Sequence, residues 1–219
     1  MLSYISLKVY TNFGTLSLND VTVFNIREYL SAKGDKDLGE DELRQLLSEF
    51  FCDKNPDVER FLKEQSIEFT KKNQSVTYLV FSNEDASLVG YFTITIKPIT
   101  VNAENFSNTM KRKIARVSEL DEENGTYTLS AYLIAQLAKN FKDGANEKIT
   151  GEQLLQAAVD TIKELQYMAG GMVIFLEAEN EGKLLHFYEG ENGFKRFDVR
   201  EINSQDDNSH MLIQLLKVL

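Results

Sequence analysis

Tryptophan is absent from this 219-residue chain, and it holds only one cysteine, two histidines and two prolines. So little proline excludes long proline-rich linkers. A lone cysteine, Cys52, cannot form an internal disulfide, which fits a reducing cytoplasm. It follows Phe50-Phe51 in an apolar context and reads as a small core residue. With His186 and His210 as the whole histidine supply, His-rich metal sites and Cys/His catalysis lack raw material, so no metal is expected. No apolar run reaches the length of a membrane-spanning helix. The opening segment, MLSYISLKVYTNFGTLSL, alternates like a strand pair and lacks the uninterrupted apolar core of a signal peptide. No membrane association and a cytoplasmic location are therefore expected. Positive charge is also in deficit: 24 Lys and Arg against 34 Asp and Glu give a formal net charge of −10. That balance weighs against broad, unspecific binding to nucleic acid or anionic membrane.

What is present is a globular core composition, 42% hydrophobic and 11% aromatic. Residues 3–10 and 20–30 alternate as strands around a turn at Asn12 to Gly14. Gly34 to Glu40 reads as an exposed loop. Leu43, Leu46, Leu47, Phe50 and Phe51 share a helical face, and Val58, Phe61, Leu62, Gln65 and Phe69 mark a second helix begun by Pro56. Thr77 to Phe81 and Leu88 to Ile96 form a hairpin around Asn83-Glu84-Asp85, with Pro98 closing the second strand. A polar insertion, about 100–125, carries Lys111-Arg112-Lys113 and Arg116, whose default reading is a solvated loop. Strand character returns at Thr126 to Leu137. A loop from Asn140 leads to a long amphipathic helix, Gly151 to Met168, with Leu154, Leu155, Ala158, Ile162 and Leu165 inward. The last strand spans Met211 to Leu216.

The most informative stretch is MVIFLEAENEGKLLHFYEGENGFKRF, Met172 to Phe197. Its continuous apolar run reads as a strand covered on both faces. A turn and a short helix ending in Phe187-Tyr188 follow, then a Gly193-Phe194 step into another strand. Open α/β sheets bind ligands at their strand ends, where a phenol can donate a proton. Glu177 and Glu179, closing the Met172 strand, are the acids available as a general base. Tyr132 and Gln136 read either as substrate-facing groups or as core edge. Asn180 is placed to cap the short helix.

This order of elements resembles the GCN5-related N-acetyltransferase (GNAT) family over roughly residues 20–219. Val58-Glu59-Arg60-Phe61-Leu62-Lys63 through Tyr78-Leu79-Val80-Phe81 and Val89-Gly90-Tyr91-Phe92-Thr93 is similar to the front half of its toxin-like branch. Gln136-Leu137-Ala138 with the following loop and helix resembles its acyl-CoA segment, and Phe187-Tyr188 with Gly193-Phe194 its closing motif. The likeness implies an α/β (α+β) fold: a mixed, mostly antiparallel sheet with a splayed parallel pair, flanked by helices. It implies one domain over 1–219 with an N-terminal strand extension at about 1–20. It also implies that backbone groups of Leu137 and Lys139 hold the pantetheine arm of acetyl-CoA. The loop residues Asn146, Lys148, Thr150, Gly151 and Glu152 then hold its pyrophosphate on free N–H groups at the positive end of the helix dipole. Asn180 is a further cofactor contact, and Tyr188 is the general acid to the CoA thiolate.

The chain departs from the pattern in two places. Gly151 is the only glycine where the family's loop has more, with Ile149 and Glu147 close by. One extra residue separates Tyr188 from Gly193. The leading expectation is an acyl-CoA-dependent N-acetyltransferase acting on an amine by direct attack. A toxin acetylating aminoacyl-tRNA is an alternative that the acidic balance disfavours. A non-enzymatic interaction protein that kept the fold is another, supported by the eroded glycine loop. The apolar end, Met211 to Leu219, suits either a homodimer sheet or the monomer core.

Overall fold

The computed structural model describes residues 15–18, 20–31, 39–202 and 210–219, so the expected strand at 3–10 and most of the 34–40 loop lie outside the described residues. In chain order the first elements are β1 (Thr15–Leu18), β2 (Val21–Asn25), α1 (Ile26–Ser31), α2 (Glu40–Ser48), α3 (Pro56–Arg60), α4 (Ser66–Lys71), β3 (Val76–Ser82) and β4 (Leu88–Asn102). Then follow α5 (Asn108–Ile114), β5 (Leu120–Asp121), β6 (Thr126–Lys139), α6 (Gly151–Ala169), β7 (Val173–Glu179), α7 (Gly182–Leu185), β8 (Lys195–Ile202) and β9 (His210–Val218). They group into two compact units. The first holds the residues up to Thr95 with Gln136–Thr161; the second holds Ile96–Ala135 with Ile162–Leu219.

In the first unit β1, β2, β3 and β4 pair antiparallel in that order. Leu43 and Leu47 of α2, one helical turn apart, pack with Val58, Leu62 and Ile67 against Leu79, Phe81, Tyr91 and Ala138. Each such buried side chain contributes about 2 kcal/mol. Cys52 belongs to this cluster, as its apolar context suggested. Asn55 caps α3 by accepting from the Asp57 and Val58 N–H groups, with Pro56 in the first turn. Gly90 has a packing reason: a Cβ there would sit 2.9 Å from the Ala138 carbonyl oxygen and 3.2 Å from Leu154.

Asn140, just past β6, is buried and fully used. Its N–H donates to Val89 O (2.9 Å). Its amide donates to Leu88 O (2.8 Å), and its carbonyl oxygen accepts from Phe51 N (2.9 Å) and Lys142 N (3.1 Å). The neighbouring Phe141 N–H donates to Phe51 O (2.7 Å). One side chain thus ends the strand and pins the α2–α3 loop to it.

In the second unit β6 pairs parallel with β7 only from Ala131–Val173 to Ile134–Leu176. Beyond that, Glu177 to Glu179 of β7 pair with β9, which pairs antiparallel with β8. Ile114 of α5 joins Ile99, Val101, Leu129, Leu133, Phe175 and Leu216 in one core. The Gly170-Gly171 turn needs its glycines: both have positive φ (78° and 105°). A Cβ on Gly171 would lie 2.6 Å from the Tyr132 ring. The Tyr132 hydroxyl donates to Gly170 O, so Tyr132 is a core anchor for that turn rather than a substrate-facing group.

Three local expectations are corrected. The strand read over 20–30 ends at Asn25; Ile26–Ser31 is helical because Asn25 accepts from Arg27 N (3.0 Å) and Ile26 is fully buried. Pro98 does not close β4, which runs to Asn102. The ladder with β3 stops at Ile94 and Pro98 is exposed, so the missing N–H costs no bond to β3. Asn180 does not cap α7: the cap residue is Glu181, whose C=O accepts from Leu185 N (2.9 Å). Within the insertion lies a short helix, α5, capped by Ser107.

Asn140→Ala is expected to destabilise the protein by about 3 kcal/mol, because it strands buried donors and acceptors. Urea denaturation measures this; a loss under about 1 kcal/mol would remove Asn140 from that role.

Candidate functional site

In the first unit, the chain leaves Asn140 through a short 3₁₀ segment, Lys142–Glu147, and enters α6. Thr150 and Gln153 form a reciprocal capping box: Gln153 N donates to Thr150 Oγ1 (3.0 Å) and Thr150 N to Gln153 Oε1 (2.8 Å). Among the described residues the N–H groups of Gly151 and Glu152 have no partner. They lie at the positive end of a 19-residue helix. Ile149, whose Cβ would obstruct a phosphate, turns its side chain into the core at 2% exposure. Glu147 is exposed. The residues present therefore fit an anionic group at this end, with Gly151 and Glu152 as backbone donors.

Lys148 is differently engaged. It pairs with Asp85 and donates to Ser87 Oγ (3.1 Å). Lys148, then Ser87, hold the Asp85 carboxyl down to about 2. Asn146 is half-buried, as are Leu137 and Lys139 on β6. Burial, and then the charge of Lys54, lower the pKa of Lys139.

In the second unit, Tyr188 lies in a wide turn of helix, His186–Glu191, with π-type hydrogen bonding. Such a turn absorbs one residue more than an α-turn, which accounts for the extra residue before Gly193. Phe194 N donates to Tyr188 O (3.0 Å), Asn192 Nδ2 to Phe187 O (2.8 Å) and Lys217 Nζ to Asn192 O (3.0 Å). The Tyr188 ring meets Phe187 and Phe194 edge-on, with centroids 5.0 and 5.8 Å away. Its hydroxyl makes no hydrogen bond among the described residues, and burial pushes its pKa up to about 12. It is therefore a protonated phenol at neutral pH. Asn180 is exposed on the bend before α7.

A cleft of about 330 Å³ also belongs to this unit. Leu133, Phe175, Phe197 and Ile99 give it apolar walls, and Glu177, Arg200 and Gln214 its polar end. The Glu177 carboxylate accepts from Arg200 Nη1 (2.9 and 3.2 Å) and Gln214 Nε2 (2.7 Å). It is also the first β7 residue past the parallel ladder. Arg200 and Gln214 escaped sequence reading, because only strand register places them beside Glu177. On α5, Lys111, Arg112 and Lys113, with Arg116 after it, have no carboxylate partner among the described residues. No described helix is long and apolar enough to cross a membrane.

No protein-family model matches the chain, and no curated protein matches it significantly. Solved structures do. AtaT complexed with acetyl-methionyl-tRNAfMet is similar at 16% identity and a TM-score of 0.55, over 89% of this chain and 94% of that one. A tyrosine-to-phenylalanine mutant of KacT matches at 18% identity and a TM-score of 0.55, over 90% and 95%. A mutant AtaT toxin bound to acetyl-CoA and the C-terminus of the antitoxin AtaR matches at 16% and 0.52, over 91% and 94%. The chain has the GNAT fold of these toxins. At such identities the likeness is one of fold.

Tyr188 is expected to stay protonated until near pH 12, well above an ordinary tyrosine. Below pH 10 its neutral form costs the fold nothing; as pH rises from 10 toward 12, only the unfolded chain ionises freely, and stability falls. Ultraviolet titration of the protein against Tyr188→Phe should show no lost tyrosinate signal near pH 10. A signal lost there would contradict the buried phenol.

Proposed function

We propose that the protein is an acyl-CoA-dependent N-acetyltransferase that moves an acetyl group from acetyl-CoA to an amine. The observation that carries this is the buried, protonated Tyr188 phenol with an uncommitted hydroxyl, on the closing motif of a GNAT fold. Acetyl-CoA bound to the AtaT neighbour supports the choice of donor. In this reading Gly151 and Glu152 hold the pyrophosphate, with Thr150 and Asn146 shaping the loop. The backbone of Leu137 and Lys139 holds the pantetheine arm, and Asn180 borders the donor. The chain works as one domain over 1–219, in the cytoplasm.

The chemistry is a direct transfer. The amine nitrogen bonds to the thioester carbonyl carbon and the carbon–sulfur bond breaks. Tyr188 gives its proton to the departing thiolate, and Glu177 takes the proton lost by the nitrogen, directly or through water. The cleft beside Glu177 holds the acceptor, its apolar walls taking the body of the molecule.

For the acceptor itself, the α-amine of an aminoacyl-tRNA gains support from the AtaT complex with acetyl-methionyl-tRNAfMet and from the cations of α5, which have no carboxylate partner among the described residues. Charge segregation answers the objection from overall acidity: local cations suffice for phosphate contact. An antitoxin partner is a further expectation of this reading.

Tyr188→Phe should lower turnover about a hundredfold or more while acetyl-CoA affinity changes little. Rates of CoA release and calorimetric binding separate the two; unchanged turnover excludes the phenol. Acetyl-CoA at a hundredfold excess over its Kd should stabilise the fold by about 2.7 kcal/mol. No thermal shift would favour a non-enzymatic protein.

A further inference from the structure

Three lysines gather where β6 ends in the first unit, and among the described residues only one has a counterion. Lys142 is neutralised by Glu49. Lys54 stands over the Phe141 ring, its Nζ 4.7 Å from the centroid. Lys139 is half-buried on the last residue of β6. Neither Lys54 nor Lys139 has a carboxylate partner among the described residues, in a chain with ten more acidic than basic side chains.

Their proximity is enforced. Asn140 and Phe141 bind the α2–α3 loop through Phe51 N to Asn140 Oδ1 (2.9 Å) and Phe141 N to Phe51 O (2.7 Å). That fixes the loop carrying Lys54 against the strand carrying Lys139. Lys54 stands over Phe141, two residues along the chain from Lys139, and after burial its charge lowers the proton affinity of Lys139. Of the nearby carboxylates, Glu49 is engaged by Lys142 and Glu59 by Lys63 and the Cys52 N–H, while the exposed Asp53 and Asp143 make no ion pair with either lysine among the described residues. Two cations held together without a counterion cost the fold stability unless an anion joins them.

We propose that Lys54 and Lys139 form a phosphate subsite, selective for a phosphate monoester dianion. A monoester carries about −1.5 to −2 near neutral pH, which balances both ammonium groups. A phosphodiester or carboxylate would balance one. The subsite is separate from the backbone donors at the start of α6. The same chemistry has two sources: the 3′-phosphate of acetyl-CoA, or a 5′-terminal phosphate on a nucleic-acid acceptor. The inference deepens the acyltransfer reading and rests on it only for the identity of that source.

The test measures binding of the full chain to acetyl-CoA and 3′-dephospho-acetyl-CoA, and to a short RNA with and without its 5′-phosphate. Wild type is compared with Lys54→Met, Lys139→Met and, as a control, Lys142→Met. Methionine keeps an apolar stem of similar length, so folding is retained. For one of the two pairs, losing the phosphate should weaken wild-type binding about tenfold, as expected for a charge-assisted contact. Lys54→Met should abolish that difference and leave the unphosphorylated probe unaffected; Lys139→Met should abolish it too, read as the ratio of the two affinities; Lys142→Met should preserve it. Without ligand, Lys139→Met should also raise the melting temperature, since the charge it removes is disfavoured in the fold. Equal phosphate dependence in wild type and both variants overturns the subsite. Acetyl-CoA binding that ignores the lysines leaves the transferase reading standing alone. RNA phosphate binding without any acetyl-CoA binding leaves the subsite standing and sinks the transferase. Wild type that binds none of the four probes overturns both.

Discussion

The first unit depends on a single buried amide. Asn140 satisfies the backbone of β4 and of the α2–α3 loop with one side chain, at the residue where β6 must stop. Buried backbone groups need partners, and a loop docked on a strand end has no ladder to provide them. The asparagine supplies both a donor and an acceptor, which few other side chains can do in that space. Leu137 and Lys139 on one side of it, and the 3₁₀ entry to α6 on the other, inherit their positions from that arrangement.

The second unit is organised by where pairing ends. β6 and β7 share a short parallel ladder, and beyond Leu176 the described strand pairing of β7 is with β9. Glu177 is the first residue past that limit, and its charge is held by Arg200 and Gln214 from β8 and β9. The closing motif solves a different problem. An extra residue after Tyr188 would shift the phenol on an ordinary helix; the wide turn His186–Glu191 absorbs it, and Phe194 N still returns to Tyr188 O. Burial among Phe187 and Phe194 then keeps the hydroxyl protonated.

Charge shows why averages mislead. The chain is acidic overall, yet Lys54 and Lys139, and the cations of α5, have no carboxylate partner among the described residues, while Arg44, Arg60, Lys63 and Lys71 are paired. Screening confines the influence of exposed charges to about 10 Å, so a ligand meets the local set rather than the sum.

Periodicity and turn chemistry alone settled much of this protein. β-Branched and aromatic runs marked the β3–β4 hairpin, and apolar spacing marked α2, α4 and α6, because these signals are local. The fold class followed from the order of such elements and from the closing Phe187-Tyr188 pattern. Sequence could not foresee Asn140 meeting Phe51, Arg200 meeting Glu177, Tyr132 turning inward beneath Gly171, or Lys54 standing beside Lys139. Each joins residues far apart in the chain, and strand register, which no local window contains, decided which of them share a surface.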